Sequence, residues 1–397
     1  MDLRLSISAP ASKSATQRAL FLSTLASGTS TLHGPLDCED SRALADALRG
    51  LGVKIDQQSD RWIVSGDTLQ AASATLYCSN AGTCIRFLAA ASLLLPSSVT
   101  LDAGEQLRKR PLQDIADALR RAGMHVEFTD REGFAPLTIT PGDSIRNEIE
   151  LDASRTSQFL SGLLMVAPRL GGISIRTGKH LVSRPYVDLT LALMSAFGGP
   201  PVREHENVFF VPAGAYQACD MTIEGDWSAA AMILTAGWIS GLKIDIPNLN
   251  SESVQGDRAI VLFLEELGRP RHHRFDLAIC PDLITPLAVA CAFAEHPSEI
   301  RNVAHARIKE SDRIAATVQM LNAVGVAAEQ LADGLLITPG GAFHPATVED
   351  HGDHRVAMAA GVISLRIPGV KPTTPECVKK SYPNFWNVME ELRCSLR

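Results

Sequence analysis

Apolar residues recur at helical spacing along this chain and stop repeatedly at a glycine, after which a short alternating stretch closes on a turn residue. Asp46–Val53 passes Gly52 and leads to Trp62–Gly66. Asp117–Met124 passes Gly123 and leads to Leu137–Gly142. Leu191–Met194 runs on to Gly198 and then Val208–Pro212, Phe263–Leu267 ends at Gly268, and Met320–Val324 ends at Gly325 before Leu335–Gly340. Period 3.6 predicts helices and period 2 predicts hairpin strands. The glycines at 52, 123, 198, 268 and 325 lie 71, 75, 70 and 57 residues apart. Each is expected just past a helix end in the left-handed conformation, which costs glycine no Cβ clash. Such long mixed periods predict repeated α/β units, six in two groups of three, with Phe385–Leu392 as the last helix. The fourth copy is curtailed. The basic run Arg269–Arg274, read as a solvated turn, passes directly into an expected strand, Phe275–Cys280. A first strand is expected over Leu3–Ser8.

Between the repeats lie polar motifs, each placed to open a helix. Ser12-Lys13-Ser14 with Arg18 puts two cations about one and a half turns apart beside two hydroxyls, a set suited to phosphate or carboxylate. Asn80-Ala81-Gly82-Thr83 with Arg86 precedes an expected helix Phe87–Leu94, and Gly82 allows a ligand close to the backbone. Arg108-Lys109-Arg110 stands ahead of Pro111, read as the first residue of a helix. Thr156-Ser157-Gln158 opens Phe159–Val166, Ser183-Arg184-Pro185-Tyr186 opens a helix to Phe197, and Pro281-Asp282 begins one through Phe293. Arg307–Arg313 carries five charges, with Ser311 the expected N-cap and Asp312 in the first turn. Asp350–Arg355 and Lys379–Pro383 precede the last two helices. Cations therefore stand against the helix dipole at five starts: 13, 110, 309–313, 355 and 380. Two like charges ~4 Å apart cost about 4 kcal/mol at an effective dielectric of 20, so these ends imply multiply charged anions as partners.

Composition narrows the classes. A chain of 397 residues exceeds the usual single core, which predicts two domains. Aromatics at 5% and a net charge of −7 argue against a nucleic-acid binder, without excluding a locally basic pocket for a small anion. The eight cysteines show no CxxC spacing, so they read as scattered thiols of a reducing compartment rather than zinc ligands. Neither a signal-peptide pattern nor a membrane-length apolar run occurs, and a cytoplasmic protein is expected.

Taken in order, these motifs resemble the 5-enolpyruvylshikimate-3-phosphate (EPSP) synthases: S-K-S with Arg18, N-A-G-T with Arg86, R-P at 110–111, T-S-Q at 156–158, S-R-P-Y at 183–186, P-D at 281–282, R-I-K-E-S-D-R, D-H-R-V-A-M and K-S-Y-P. The resemblance implies an α/β (α+β) fold, a two-domain inside-out α/β barrel with three βαβαββ repeats per domain and the active site in the interdomain cleft. It places residues 1–11 with 225–397 in one domain, carrying base and acid, and 12–224 in an inserted domain carrying most of the shikimate 3-phosphate site. Shikimate 3-phosphate would be held by Lys13, Ser14, Arg18, Thr156, Ser157, Gln158, Ser183, Tyr186, Asp282, His305 and Lys309. Phosphoenolpyruvate would be held by Lys13, Asn80, Gly82, Arg110, Gln158, Arg313, Arg355 and Lys380. The family's reaction is addition–elimination in aromatic amino acid (chorismate) biosynthesis, with Asp282 as base and Glu310, assisted by Lys13, as acid. A monomer without metal or organic cofactor, acting on small molecules and not on nucleic acid or membrane, is implied. Glyphosate competes with phosphoenolpyruvate in this family, and Gly82 leaves room for it. Three positions depart from the family pattern: His305 stands for the common Asn, Phe87 for a proline and expected to shift the Asn80–Thr83 loop, and Leu283–Pro286 for small residues, predicting a kink.

Three alternatives remain. The UDP-N-acetylglucosamine enolpyruvyl transferases share fold and reaction but use a Lys-Asn pair and a loop cysteine, whereas here Ser14 follows Lys13 and Leu107–Arg110 has no cysteine. A metal-dependent hydrolase would need Asp350, His351, Asp353 and His354 to face one ion from a single short loop. A non-catalytic binding protein would not need Asp282, Glu310 and Lys13 together.

Overall fold

The computed structural model describes residues 4–67, 69–70 and 74–396. The chain divides into two compact units, Ala11–Ile223 and Met1–Pro10 with Glu224–Arg397.

Among the described residues of the unit Ala11–Ile223 six α-helices follow one another: α1 (Lys13–Leu25), α2 (Glu39–Gly50), α3 (Gly82–Ala91), α4 (Gln113–Arg121), α5 (Gln158–Val166) and α6 (Arg184–Ala196). Ala15–Leu25 of α1, all of α3 and Phe159–Val166 of α5 are buried. These three helices form the interior although α1 and α3 take polar side chains, Arg18 and Arg86 among them, inside with them. The others bury one face; α4, for instance, buries Ile115, Ala116, Ala118 and Leu119. Gly162 lets α5 approach α3, because a Cβ there would lie 3.0 Å from the Ala90 methyl and 3.2 Å from the Arg86 carbonyl oxygen. Three four-stranded sheets share one pattern, a parallel pair extended by an antiparallel hairpin. In one, Ala74–Tyr77 runs parallel to Val99–Asp102 (Leu76 opposite Leu101), which meets Leu137–Thr140, itself paired with His125–Phe128.

The second unit carries α7 (Trp227–Ser240), α8 (Ile260–Leu267), α9 (Ile284–Ala292), α10 (Arg313–Ala323), α11 (His354–Ile363) and α12 (Phe385–Ser395). Again alternate helices are the buried ones: α9 and α11 throughout, α7 at most positions. Only one complete four-stranded sheet is present among the described residues, built from 273–276, 298–301, 334–338 and 327–331. The other two sheets are parallel pairs, Arg4–Ser6 with Lys243–Asp245 and Thr347–Val348 with Lys371–Pro372. Three full βαβαββ units are therefore not met here. After α8 only 268–272 precede the next strand, too few for a hairpin. Leu3, the expected start of the first strand, lies outside the described residues.

Gly52, Gly123, Gly198 and Gly325 take φ of 87°, 105°, 70° and 89°, as helix-ending glycines should. Gly268 does not: its φ is −74°, and the chain turns on in a right-handed sense, with Arg269 N–H donating to the Glu266 carbonyl. The strand expected over Phe275–Cys280 is His273–Asp276 instead, because Asp276 Oδ1 accepts from Ala278 N–H at 2.9 Å and turns the chain early.

Candidate active site

In both units most of the chemistry-bearing motifs sit at or just before helix starts. Lys13 is the first residue of α1, whose cap Ser12 accepts from Ala15 N–H. The Lys13 ammonium lies 2.7 Å from Asp40 near the start of α2. Helix α3 begins at Gly82, five residues before the expected start, so Thr83–Arg86 form its first turn. Arg86 Nη1 donates back to the Gly82 carbonyl at 3.0 Å and across to Gln158 Oε1, at the head of α5, at 2.8 Å. A Cβ on Gly82 would fall 2.6 Å from Arg86 Nη1 and 2.8 Å from Arg110 Nη1. Two guanidinium groups thus crowd the backbone of Gly82, where any side chain would meet them. Asn80 holds the neighbouring loop, its Oδ1 accepting from Leu107 N–H at 3.2 Å. Thr156 Oγ1 accepts from Gln158 N–H at 3.2 Å, and Ser157 is buried beside it.

Arg18 is almost fully buried. Its Nε donates to Thr190 Oγ1 (2.8 Å), Nη1 to the Ser14 carbonyl (3.0 Å) and Nη2 to Ser161 Oγ (3.2 Å). The guanidinium lies 5.8 Å from the Tyr186 ring centre and 5.6 Å from that of Phe87. Burial lowers its pKa to about 10, with Tyr186 opposing, so the group stays cationic at neutral pH. It ties Ser14, Ser161 and α6 together, leaving one N–H on each terminal nitrogen beyond these bonds. Ser183 precedes α6 in the left-handed region, φ 54°. Phe87 points into the core against Phe21, 5.4 Å between ring centres, rather than into the Asn80–Thr83 loop.

The unit Glu224–Arg397 is built around Arg313. This fully buried side chain, first in α10, donates from Nε to Asp353 Oδ2 (2.8 Å), from Nη1 to Asp282 Oδ1 (2.6 Å) and from Nη2 to Glu310 Oε2 (2.6 Å) and Asp353 Oδ1 (3.2 Å). Burial opposes its charge, but Asp353, Glu310 and Asp282 outweigh that, and its pKa is raised. Arg355 Nε lies 3.5 Å from Asp282 and Lys380 Nζ 3.8 Å from Glu310. The expected proton acceptor and donor are therefore gathered on one guanidinium. His305 and Lys309 sit at the turn before them, and burial followed by the Lys309 charge lowers the His305 pKa to about 4, against a smaller pull from Asp282. The imidazole is neutral near pH 7, and its buried Nε2 has no hydrogen-bond partner among the described residues.

Several local expectations need correction. Asp312, not Ser311, caps α10, accepting from Ala315 N–H, while Ser311 donates to Asp353 at 2.9 Å. The carboxylate is the stronger acceptor for a helix N-terminus. Of the five cationic starts, Lys13, Arg313 and Arg355 do open α-helices. Arg110 and Lys380 follow or end short 3₁₀ turns, and Pro111 lies outside α4, whose cap is Leu112. The Asp282 segment is a 3₁₀ turn, Pro281–Leu283, running into α9. The anionic partners implied for the 307–313 cluster are supplied in part by the chain itself, through Asp353 above all. Asp353, Asp40 and the Arg86–Gln158 link were missed. Asp353 was visible only as part of a loop weighed for metal, whose side chains have separate partners: Asp350 accepts from Thr374 N–H, His351 meets Gln319 and Asp353 meets Arg313.

Residues 1–389 match the family model for EPSP synthase (3-phosphoshikimate 1-carboxyvinyltransferase). The 3-phosphoshikimate 1-carboxyvinyltransferase of Methanosphaerula palustris is 35% identical over 97% of this chain and 96% of its own, and that of Photobacterium profundum is 36% identical over the same shares. The chain belongs to the EPSP synthase family. Among solved structures, EPSP synthase from Acinetobacter baumannii superposes with a TM-score of 0.81 at 23% identity, covering 98% of this chain and 96% of its own. The enolpyruvyl transferase NikO from Streptomyces tendae gives 0.73 at 15%, covering 98% and 94%. This EPSP synthase family member therefore has the family's mixed α/β fold. No helix among its described residues is long and apolar enough to cross a membrane.

Proposed function

We propose that the chain transfers the enolpyruvyl group of phosphoenolpyruvate to the 5-hydroxyl of shikimate 3-phosphate, releasing phosphate, as a cytoplasmic monomer that needs no metal or organic cofactor. The observation carrying the site assignment is the Arg313 hub, which fixes Asp282 and Glu310 on one cation. Asp282 accepts the hydroxyl proton as that oxygen bonds to C2 of phosphoenolpyruvate, and Glu310, with Lys13, protonates C3. The tetrahedral intermediate then loses phosphate from C2 and a proton from C3, which restores the double bond. Lys13, Ser14, Arg18, Thr156, Ser157, Gln158, Ser183, Tyr186, His305 and Lys309 are assigned to shikimate 3-phosphate. Lys13, Asn80, Gly82, Arg110, Gln158, Arg313, Arg355 and Lys380 are assigned to phosphoenolpyruvate. Because the nitrogens of Arg313 already serve carboxylates, its larger part is to orient Asp282 and Glu310. The cations hold two mutually repelling anions in reacting order and stabilise the charge that develops. Phosphate release from shikimate 3-phosphate plus phosphoenolpyruvate, unchanged by chelator and absent with UDP-N-acetylglucosamine, is the expected result. Turnover of the UDP-sugar instead would reassign the substrate.

A further inference from the structure

One turn inside the starts of α1, α5 and α6 lies a buried polar junction in which only Arg18 has so far been given a role. Arg18, Ser161 and Thr190 each stand four residues after a residue assigned to shikimate 3-phosphate, namely Ser14, Ser157 and Tyr186. Thr190 and Ser161 are fully buried, and they lie 172 and 143 residues from Arg18 along the chain. Arg18 Nε donates to Thr190 Oγ1 at 2.8 Å and Nη2 to Ser161 Oγ at 3.2 Å, and the two hydroxyl oxygens are 2.9 Å apart. A pair of hydroxyls thus holds the side-on edge of the guanidinium, the place a carboxylate takes in a bidentate ion pair. Thr190 has one proton to give, and both acceptors in reach fasten it further: the Tyr186 carbonyl at 2.8 Å and Ser161 Oγ at 2.9 Å. Nη1 of Arg18 donates to the Ser14 carbonyl at 3.0 Å. Three helices from distant parts of the chain are tied together next to their ligand-bearing ends. Lys13, at the start of the same α1, is held by a carboxylate instead, Asp40 at 2.7 Å.

We infer that Thr190, together with Ser161, is a positioning residue that aims Arg18 and keeps the starts of α1, α5 and α6 in register for the anionic substrate. This rests on the assignment of Arg18 and those helix starts to shikimate 3-phosphate. Two properties of the hydroxyl pair matter. Coming from two different helices, the hydroxyls fix the guanidinium in one orientation, so the N–H left on each terminal nitrogen keeps one direction. Being uncharged, they leave the cation its field, whereas a carboxylate in the same place would neutralise it and compete with the ligand. Removing the Thr190 oxygen leaves a buried N–H of Arg18 unsatisfied, and the guanidinium must turn to find another acceptor. Asp282 and Glu310, the proton-transferring groups, belong to the other unit, so the effect falls on binding rather than on the chemical step.

The test is calorimetric titration of the full chain with shikimate 3-phosphate, beside steady-state kinetics. Thr190→Val keeps the branched shape and removes the acceptor. Its Kd and KM for shikimate 3-phosphate should rise about tenfold, with kcat within about threefold and the KM for phosphoenolpyruvate within about twofold at saturating shikimate 3-phosphate. Thr190→Ser restores the hydroxyl and should bring binding back to within about threefold of wild type. Thr190→Asp keeps an acceptor on Arg18 but adds a negative charge, and should bind at least as weakly as Thr190→Val. Wild-type affinity in Thr190→Val or in Thr190→Asp, or no recovery in Thr190→Ser, would overturn the inference. So would a fall in kcat as large as the rise in KM. Should Thr190→Val fail to fold, Ser161→Ala decides: it removes the longer of the two bonds and should weaken shikimate 3-phosphate alone by about threefold, and unchanged affinity counts against the proposal. Normal binding by Arg18→Leu would remove the assignment of Arg18 and this inference together. Loss of binding in Arg18→Leu beside normal binding in Thr190→Val would remove only the role of Thr190.

Discussion

The two units use one frame, three buried helices with reactive side chains at their starts, and fill it with opposite chemistry. In Ala11–Ile223 the buried guanidinium groups of Arg86 and Arg18 donate to neutral oxygens, Arg86 to the Gly82 carbonyl and Gln158 and Arg18 to Thr190, Ser161 and the Ser14 carbonyl, while Lys13 and the more exposed arginines pair with carboxylates. In Glu224–Arg397 one guanidinium is ringed by Asp353, Asp282 and Glu310. Neutral oxygens fix a cation without cancelling it, leaving field for a bound anion. Carboxylates cancel it, and supply groups that can take and give protons. The first arrangement suits holding and the second suits proton transfer.

The largest expected effect is on stability and breaks the second arrangement. Arg313→Leu leaves three carboxylates clustered without their common cation, and losing one partner of a buried charge network costs about 3–5 kcal/mol. Arg86→Leu removes bonds to a carbonyl and an amide oxygen, at about 1–3 kcal/mol. Denaturant unfolding of both variants should show the larger loss at Arg313, and equal losses would erase the distinction between the units.

Next in size is the chemical step. Asp282→Ala should still bind shikimate 3-phosphate in a calorimetric titration, while kcat falls at least about a hundredfold. Arg110→Ala, in the holding unit, should act mainly on the KM for phosphoenolpyruvate. If Asp282→Ala turns over at nearly the normal rate, the assignment of base is wrong.

Much of this frame could be read from the chain. The glycine stops at 52, 123, 198 and 325 marked the helix ends because a left-handed residue there is written in the sequence as glycine. The site motifs were legible for a similar reason, since cations at helix starts contradict the dipole and call for a partner. What could not be read was which partner. Asp353 and Asp40 approach Arg313 and Lys13 from 40 and 27 residues away, through tertiary packing that no local spacing encodes. Gly268 looked like the other stops, but no hairpin follows it, and the left-handed turn that feeds a hairpin is not made. Phe87 was expected to disturb the phosphoenolpyruvate loop. Once α3 begins at Gly82 instead of Phe87, the ring falls on the core side of the helix, against Phe21.

That placement sharpens the third prediction. Because Phe87 lies in the core and Gly82 carries two guanidinium groups, wild-type enzyme should be inhibited by glyphosate competitively with phosphoenolpyruvate. Gly82→Ala would put a methyl within 3 Å of both groups and force them apart. Glyphosate inhibition should weaken by about tenfold or more, a loss of roughly 1.4 kcal/mol, with a smaller rise in the KM for phosphoenolpyruvate. Equal sensitivity of the two enzymes would show that the space over Gly82 is not where the inhibitor binds.

The smallest effect concerns His305, where a titratable ring stands in the carboxylate-rich unit. Its folded pKa of about 4 lies below the ordinary ~6.5 of histidine, so the unfolded chain binds the proton more readily. Stability from the neutral ring is full above about pH 6.5 and is lost progressively as pH falls towards 4, where it levels off. With its part exposure to solvent allowed for, the span corresponds to about 1–2 kcal/mol. His305→Asn has no such ionisation and should flatten that stretch of the stability profile while leaving stability at pH 7 nearly unchanged. Asn keeps a hydrogen-bonding side chain, so shikimate 3-phosphate affinity at pH 7 should also hold within about threefold. Chemical denaturation of both proteins across this range reads the difference directly. Parallel profiles would mean that the ring is charged, or solvated, in the folded state.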